Sequence, residues 1–535
     1  MSVLKIHDVV TFPEKYWNSE FSGLFPVELI QVLIHLHEKL NPKRKLLLEK
    51  RSIRQKSYDE GGLPEFLPEN SEAVSGSWKI SPIPKELLVR RVEITGPVNS
   101  TKTVINMLNR NEDGSRADMA MLDFEDSMKP SFENVLNGFK NVIGALSGEL
   151  SFSSETKNYH VNPHDKAYVM VRVRGLHLDE VNFKIHGVPV SAALFDLCVC
   201  FFHTAKLYLE QGLTPKFYVP KCEHYLEARW WSEFFYELER LMGLRSPTLR
   251  ATFLIETLPA TFQTEEILYE IRDHAVGLNV GRWDKIFSDI KILKNHPDRI
   301  IADRGSISME TTWMEHYARR VVKICHDRGA FAIGGMAACT PGKTKEERDE
   351  QCRKVFNDKK REASWGHDGC WVSHPYFIGV AMEAMNFDNQ LGFKSDFNKY
   401  ETILPTSEGP HSLKGLRTNI RVGIAYMYGW EHDVGCIALD HLMEDLATLE
   451  ISRAQTWQWL HHQIILDEGI KVTQELITQL FSEEGEKLLK EFKSEFDTEL
   501  HPRLETELMR ARDHSLGLYT SKELQDFLTL TSEQV

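Results

Sequence analysis

Residues 272–286 read Arg272-Asp273-His274-Ala275-Val276-Gly277-Leu278-Asn279-Val280-Gly281-Arg282-Trp283-Asp284-Lys285-Ile286. An apolar strand pattern runs into a glycine-bearing turn that ends in a carboxylate. Glycines 277 and 281 let backbone N–H groups approach a small anion while Asp284 is presented to a metal.

Outward from this stretch the same unit recurs. Short apolar runs at Arg91–Pro97, Met119–Asp126, Tyr168–Leu176, Lys216–Cys222, Ala251–Thr257, Ala275–Gly281, Ala330–Ala337 and Gly369–His374 read as eight strands. Helical patterns such as Leu194–Glu210, Trp230–Met242 and Tyr317–Asp327 lie between most of them. Eight strand-then-helix repeats fit a (β/α)8 TIM barrel, and an open doubly wound sheet is the competing reading.

The barrel pattern occupies 89–390. Before it, 1–88 reads as a helical clasp. Pro26 starts a helix, Asn41-Pro42 stops it, and a second helix follows from about Lys43 to Lys56. After it, 391–535 opens on an irregular stretch near 388–412. It then reads as all-helical, over Leu413–Trp430, Asp440–His462, Val472–Leu480 and Glu484–Phe496.

A chain of 535 residues can bury large cores, and its 42% hydrophobic and 27% charged content is that of a soluble globular protein. A net charge of −14 argues against nucleic acid as a partner, because no basic field attracts phosphates. The eight cysteines show no CxxC pairing, which suggests reduced thiols in a cytosol. Cys198 and Cys200 read as packed core. The start, Met1-Ser2-Val3-Leu4-Lys5, has no apolar targeting region, and no run of 18 apolar residues suggests a membrane span. Ser532-Glu533-Gln534-Val535 is not a Ser-Lys-Leu address. The expected location is cytoplasmic.

In a barrel the chemistry sits at the C-terminal ends of the strands. Those ends offer Asp123, Glu125, Asp126 and Ser127 after the second strand and Arg172 and Arg174 on the third. Glu256 closes the fifth, and Asp284 follows the sixth. Converging carboxylates beside an Arg suit Mg²⁺ next to an anionic substrate, since Mg²⁺ takes one or two carboxylates and fills its remaining positions with water and substrate oxygens. For Glu256 and Asp284 the structural alternative is a salt bridge to a neighbouring Arg. Arg172 and Arg174 are two apart and share one strand face. One can serve a substrate carboxylate or enolate through its planar fork, and the other can pair with the Asp123–Asp126 cluster. In the helical region, Leu442, Leu446 and Leu449 mark a packed face. Asp445 lies one residue off it, where spacing alone favours a solvated side chain.

The stretch at 272–286 resembles, nearly letter for letter, the signature of the malate synthases, with Lys285 standing where Tyr is usual. The resemblance extends from Arg91-Val92-Glu93-Ile94-Thr95-Gly96-Pro97 through Trp457-Gln458-Trp459 to Leu524–Leu530, and it is to the shorter A-type, since no long insertion interrupts the barrel. It selects the barrel over the open sheet. It implies a Claisen condensation of acetyl-CoA with glyoxylate followed by thioester hydrolysis, giving malate and CoA. Glu256 and Asp284 then match the Mg²⁺ ligands. Arg172, in Val171-Arg172-Val173-Arg174-Gly175, matches the catalytic arginine, and Asp445 matches the catalytic base. Arg172, Gly281, Trp283 and Asp284 fall at glyoxylate-binding positions. Ser127, Trp371 and Pro375 match positions lining the thioester channel, with barrel packing as the alternative for Trp371. Cys436 falls where a thiol lies near the site, and a buried inert cysteine is the equal alternative.

Two other functions fit parts of the pattern. A Mg²⁺-dependent malyl-CoA or citramalyl-CoA lyase would cleave without hydrolysing, and a non-catalytic barrel acting as a binding protein would show no metal dependence. Several features carry no chemistry. Gly342-Lys343-Thr344 lacks the first glycine of a P-loop, because position 337 is Ala. His35, His37 and Glu38 miss metal-site spacing and read as a solvated helix face. His461 and His462 cannot both face one metal, and Trp457 and Trp459 read as core.

Overall fold

The computed structural model describes residues 3–69, 71–495 and 498–530. The first two residues, Phe496 at the expected end of a helix, and the C-terminal Ser532–Val535 lie outside the described residues. Pro42 does not split the clasp: one helix, α1, runs from Val27 to Asp59 through it. A proline inside a helix removes one donor and crowds the preceding turn, and here packing on both sides offsets that cost. Leu29, Leu33, Leu36 and Leu40 are fully buried before it. Just after it, the buried Arg44 donates to the Leu176 and Leu178 carbonyls at 2.6 and 2.9 Å and to Asp179 at 2.6 Å. His37 is buried, not solvated, and burial beside Lys45 pushes its imidazole down to about 4. The clasp also contains strands. Val3–His7 and Val10–Pro13 join an antiparallel sheet with Asp179–Ile185 and Val188–Ser191, a hairpin inserted in the barrel.

The barrel closes with eight parallel strands in sequence order: β1 Val92–Pro97, β2 Met119–Asp123, β3 Tyr168–Arg172, β4 Lys216–Val219, β5 Arg250–Ile255, β6 Ala275–Val280, β7 Phe331–Ala337 and β8 Gly369–Val372. Several end earlier than their apolar runs, because the polar residues after them turn into loops. Gly277 lies inside β6, where an added β-carbon would meet the Phe331 carbonyl oxygen at 2.4 Å. Its role is strand contact, not approach to a ligand. Gly281 ends the strand, and helix α2, Arg282–Ile292, starts at once, placing Asp284 in its first turn.

The outer helix Ala192–Glu210 has a mean hydropathy of 1.4 over 18 residues, so an apolar stretch of membrane-spanning length does exist. It is 72% buried against the barrel and α1, as the core helix of a folded domain. Cys198 and Cys200 lie in it, and burial raises both thiols well above their usual value.

The C-terminal region contains α3 Leu413–Glu431, a hairpin of Ile437–Leu439 and Leu442–Glu444, then α4 Leu446–His461, α5 Gln474–Glu495 and α6 His501–Tyr519. Residues 440–445 are therefore not helical. Asp440 and His441 take left-handed turn conformations between the two strands. The hairpin docks on the loop after β7, with Met443 N–H donating to Ala338 O at 2.7 Å and Thr340 N–H to His441 O at 3.0 Å. Helix α4 packs on α2 and is buried on nearly every side. Its polar residues bond to the barrel segment below it: Gln455 to the Ala302 carbonyl at 2.7 Å, and Trp459 to that of Ile301 at 2.9 Å. Trp457 and Trp459 are core, as expected.

Candidate active site

The docked hairpin roofs one side of a cavity of about 730 Å³ at the C-terminal mouth of the barrel. The ten residues that the family resemblance picked out all line it: Ser127, Arg172, Glu256, Gly281, Trp283, Asp284, Trp371, Pro375, Cys436 and Asp445. They come from the loops after β2, β5 and β8, from the end of β3, from β8 itself, from Gly281 and the first turn of α2 after β6, and from the C-terminal region.

Arg172 closes β3, and its side chain is gripped by Asp123 at the end of β2. Nε and Nη2 donate to the two carboxylate oxygens at 2.7 and 2.6 Å. Asp123 is held in turn by the Glu125 and Ser127 N–H groups and by the Ser127 hydroxyl at 2.6 Å. The remaining amino group, Nη1, lies 3.5 Å from Glu125 and 3.4 Å from Asp126, and the guanidinium covers the Trp371 ring at 5.6 Å. Trp371 itself is anchored inside the barrel, donating to Glu93 at 2.9 Å. Arg174 does not join this cluster. It pairs with Asp196 at 2.7 Å and Glu180 at 2.9 Å, a buried structural set of its own, so the acidic cluster after β2 belongs to Arg172 alone of the two arginines.

Sequence reasoning passed over Lys221. It stands two residues beyond β4 with a left-handed backbone (φ 52°), and its ammonium lies 2.7 Å from Glu125, 2.9 Å from Asp126 and 3.1 Å from Asp284. Its backbone N–H donates to Glu256 Oε1 at 2.7 Å. Its place after a barrel strand, in Pro220-Lys221-Cys222, was the available signal. Asn279 on β6 was also missed. It donates to the Gly334 carbonyl and leaves its own carbonyl oxygen unpaired at the cavity.

Glu256 Oε2 is buried with no hydrogen-bond partner. Six carboxylates (Asp123, Glu125, Asp126, Glu256, Asp284 and Asp445) here face two cations, Arg172 and Lys221. The imbalance shows in their proton affinities. Burial, with Asp126 next, raises Glu125 and Asp284 well above the carboxylate range, and burial raises Glu256 as well. For Asp126 burial is outweighed by Lys221 and Arg172, which hold it at about 2. Among the described residues no three His, Cys, Asp or Glu side chains form a ready metal cage. The unpaired Glu256 oxygen and Asp284 fit the need of a divalent cation for one or two carboxylates with its other positions open.

Asp445 caps α4: Oδ1 accepts the Thr448 N–H at 3.1 Å, and its own N–H donates to Thr448 Oγ1 at 3.0 Å. Leu446 N–H donates to Asp126 O at 3.1 Å, which ties the cap to the loop after β2. The side chain is buried, not solvated. Burial and the nearby Asp126 push it up to about 7, against the opposing effects of the Thr448 N–H and Arg172. The Cys436 thiol lines the same cavity, and burial beside Asp445 pushes it up to about 12, so it stays protonated. Lys285 does not line the cavity. Its ammonium pairs with Asp289 at 2.5 Å over the Trp313 ring, fully buried, so the unusual residue in the signature belongs to the packing of α2 and not to the cavity wall.

The chain is similar to known proteins along nearly its whole length. Residues 168–401 match the family model described as malate synthase, TIM barrel domain. Residues 411–534 match malate synthase, C-terminal, and 8–72 match malate synthase, N-terminal domain. Malate synthase A of Escherichia coli (strain K12) is 41% identical over 532 residues, covering 98% of this chain and 97% of that protein. Malate synthase of Myxococcus xanthus (strain DK1622) is 41% identical over 522 residues, 96% and 94% of the two chains. That of Arabidopsis thaliana is 38% identical over 534 residues, 96% and 92%. The chain belongs to the malate synthase family.

Proposed function

We propose that this chain condenses acetyl-CoA with glyoxylate at the cavity and hydrolyses the malyl thioester, and that Asp445 is the base. The observation that carries the reading is the docking of the Asp445 cap over the mouth. It faces Arg172 across a cavity whose floor is acidic. A carboxylate held at about 7 is poised to accept a proton near neutral pH. Asp445 takes a proton from the acetyl methyl group, and the electron pair moves onto the thioester oxygen. Arg172, fixed by Asp123 and with Nη1 in only the longer contacts of 3.4 and 3.5 Å, balances that developing charge. The methyl carbon then bonds to the aldehyde carbon of glyoxylate, and the former aldehyde oxygen collects a proton. Water adds to the thioester carbonyl, releasing the CoA thiol and malate.

Glu256 and Asp284 would hold Mg²⁺, which when bound supplies Lewis-acid polarisation of the aldehyde. Gly281 and Trp283 would flank glyoxylate. Ser127 and Pro375, with the edge of Trp371, would line the thioester channel. The working units remain 1–88, 89–390 and 391–535. The eight cysteines are unpaired in the structure, which supports a reducing compartment, and the cytoplasm is proposed. A relative from Candida tropicalis is described as glyoxysomal, so fractionation of the native source decides location.

The test is release of free thiol from acetyl-CoA with a panel of 2-oxo acids. Thiol release with glyoxylate, weaker release with pyruvate, loss in excess EDTA and recovery with Mg²⁺ are expected. Equal rates with pyruvate would indicate a citramalate-type enzyme. Cleavage of malyl-CoA without thiol release would indicate a lyase, and full activity in EDTA would remove the metal assignment.

A further inference from the structure

The side-chain bonds at Asp445 run to Thr448, and its neighbours hold it over the mouth: Leu446 N–H bonds to Asp126 O, Met443 N–H bonds to Ala338 O, and a side-chain tie adds to these backbone ones. Glu444 ends the hairpin just before it, and Thr448 is its capping partner three residues on. One side chain from the barrel holds both. Arg304 lies on the short turn Arg304–Ser306, in the segment between α2 and the helix Thr312–Arg328. Its two amino groups take both Glu444 oxygens, with Nη1 to Oε2 at 3.0 Å. Nη1 also donates to the Thr448 carbonyl and the Ser452 hydroxyl, each at 3.1 Å. Its backbone N–H donates to Gln455 on α4 at 3.3 Å. Arg304 and Glu444 are 6% and 2% exposed, and neither lines the cavity.

We infer that Arg304 is the positioning residue of the base. By gripping Glu444 and Thr448 on either side of Asp445, it fixes the helix cap over the barrel mouth without touching substrate. The inference rests on the proposed role of Asp445. A planar fork is needed, because a lysine ammonium cannot hold both Glu444 oxygens and the Thr448 carbonyl in one geometry. The groups that face Asp445 are Asp126 after β2, Arg172 on β3, Cys436 and Glu444 of the hairpin segment, and Tyr426 on α3. Removing Arg304 leaves Glu444 as an uncompensated negative charge beside the base. That charge disfavours a second one and shifts the activity-linked ionisation of Asp445 to higher pH.

The experiment uses the full chain with Mg²⁺ and compares Arg304→Lys, Arg304→Met, Glu444→Gln, the Arg304→Met/Glu444→Gln double variant and Asp445→Asn. Arg304→Lys is expected to lower kcat by about 10–100-fold, the range produced by a misplacement on the order of 1 Å, while both KM values and the Mg²⁺ requirement stay near wild type. In Arg304→Met the acid limb of kcat should move to higher pH, and adding Glu444→Gln should move it back while kcat stays low. If Arg304→Met does not fold, Arg304→Lys and Glu444→Gln carry the comparison. Wild-type kcat and an unmoved acid limb in the foldable variants would overturn the inference. So would a loss confined to thermal stability or to KM. Wild-type methyl exchange in Asp445→Asn would instead remove the base assignment, whatever Arg304 does.

Discussion

A β-carbon on Gly281 would lie 2.5 Å from Glu256 Cβ and 2.6 Å from Glu256 Oε2. The unpaired oxygen of Glu256 therefore occupies its place only because residue 281 has no side chain. The Gly281 backbone itself is unstrained, with φ −85° and ψ 89°.

Gly281→Ala should consequently fold and still fail as a metal site. The Mg²⁺ concentration for half-maximal activity should rise by about 10–100-fold, as is typical when the support of a metal ligand is disturbed. Activity measured against Mg²⁺, with circular dichroism as the folding control, checks this. An unchanged requirement would remove Glu256 from the metal site.

The two neighbouring arginines should respond differently. Asp123→Asn weakens the two-point hold on Arg172 at 2.6 and 2.7 Å, so kcat should fall on the order of 10²-fold. Arg172→Lys should be poor in both kcat and glyoxylate KM. Arg174→Met breaks the pairs with Asp196 and Glu180 and should cost about 3–5 kcal/mol of stability with little selective effect on kcat. Steady-state kinetics beside thermal denaturation separates the cases.

In its proposed role Asp445 must be deprotonated to work, so kcat/KM should fall as pH drops through its ionisation, near 7 without metal. A bound divalent cation adds positive charge to the acidic floor and favours the carboxylate form. Raising Mg²⁺ should therefore move the acid limb to lower pH. A limb that ignores Mg²⁺ would place the titrating group elsewhere.

Pro375 opens the loop after β8, and its carbonyl accepts from Asn111 Nδ2 at 2.9 Å, joining two loops at the rim. Pro375→Ala should raise the KM for acetyl-CoA and spare that for glyoxylate. An unchanged acetyl-CoA KM would take Pro375 out of the channel.

The barrel was legible because strand-then-helix periodicity is local, and so were the residues at strand ends, whose chemistry is expensive to bury without a purpose. The place of Asp445 at the cavity was legible only through resemblance. Its burial comes from a hairpin docking on a loop more than a hundred residues away, and the periodicity placed residues 440–445 on a helix that begins only at Leu446. The helix break at Pro42 failed for a similar reason. Local propensity favours a stop, while contacts of Arg44 with residues 176–179 hold the helix through. Lys221 was overlooked because a lone lysine carries no pattern. Its meaning comes from three carboxylates brought to it by other strands. The split between Arg172 and Arg174 depends on Asp196 and Glu180, whose position beside Arg174 no spacing rule supplies.

Exchange of the acetyl-CoA methyl hydrogens with deuterium oxide, in the presence of Mg²⁺ and a non-condensing glyoxylate analogue, isolates proton removal from every later step. Wild type should exchange. Asp445→Asn keeps the shape of the side chain and cannot accept the proton, so exchange should fall by about 10²–10⁴-fold with both ligands still bound. Equal exchange in wild type and Asp445→Asn would contradict the account at its centre.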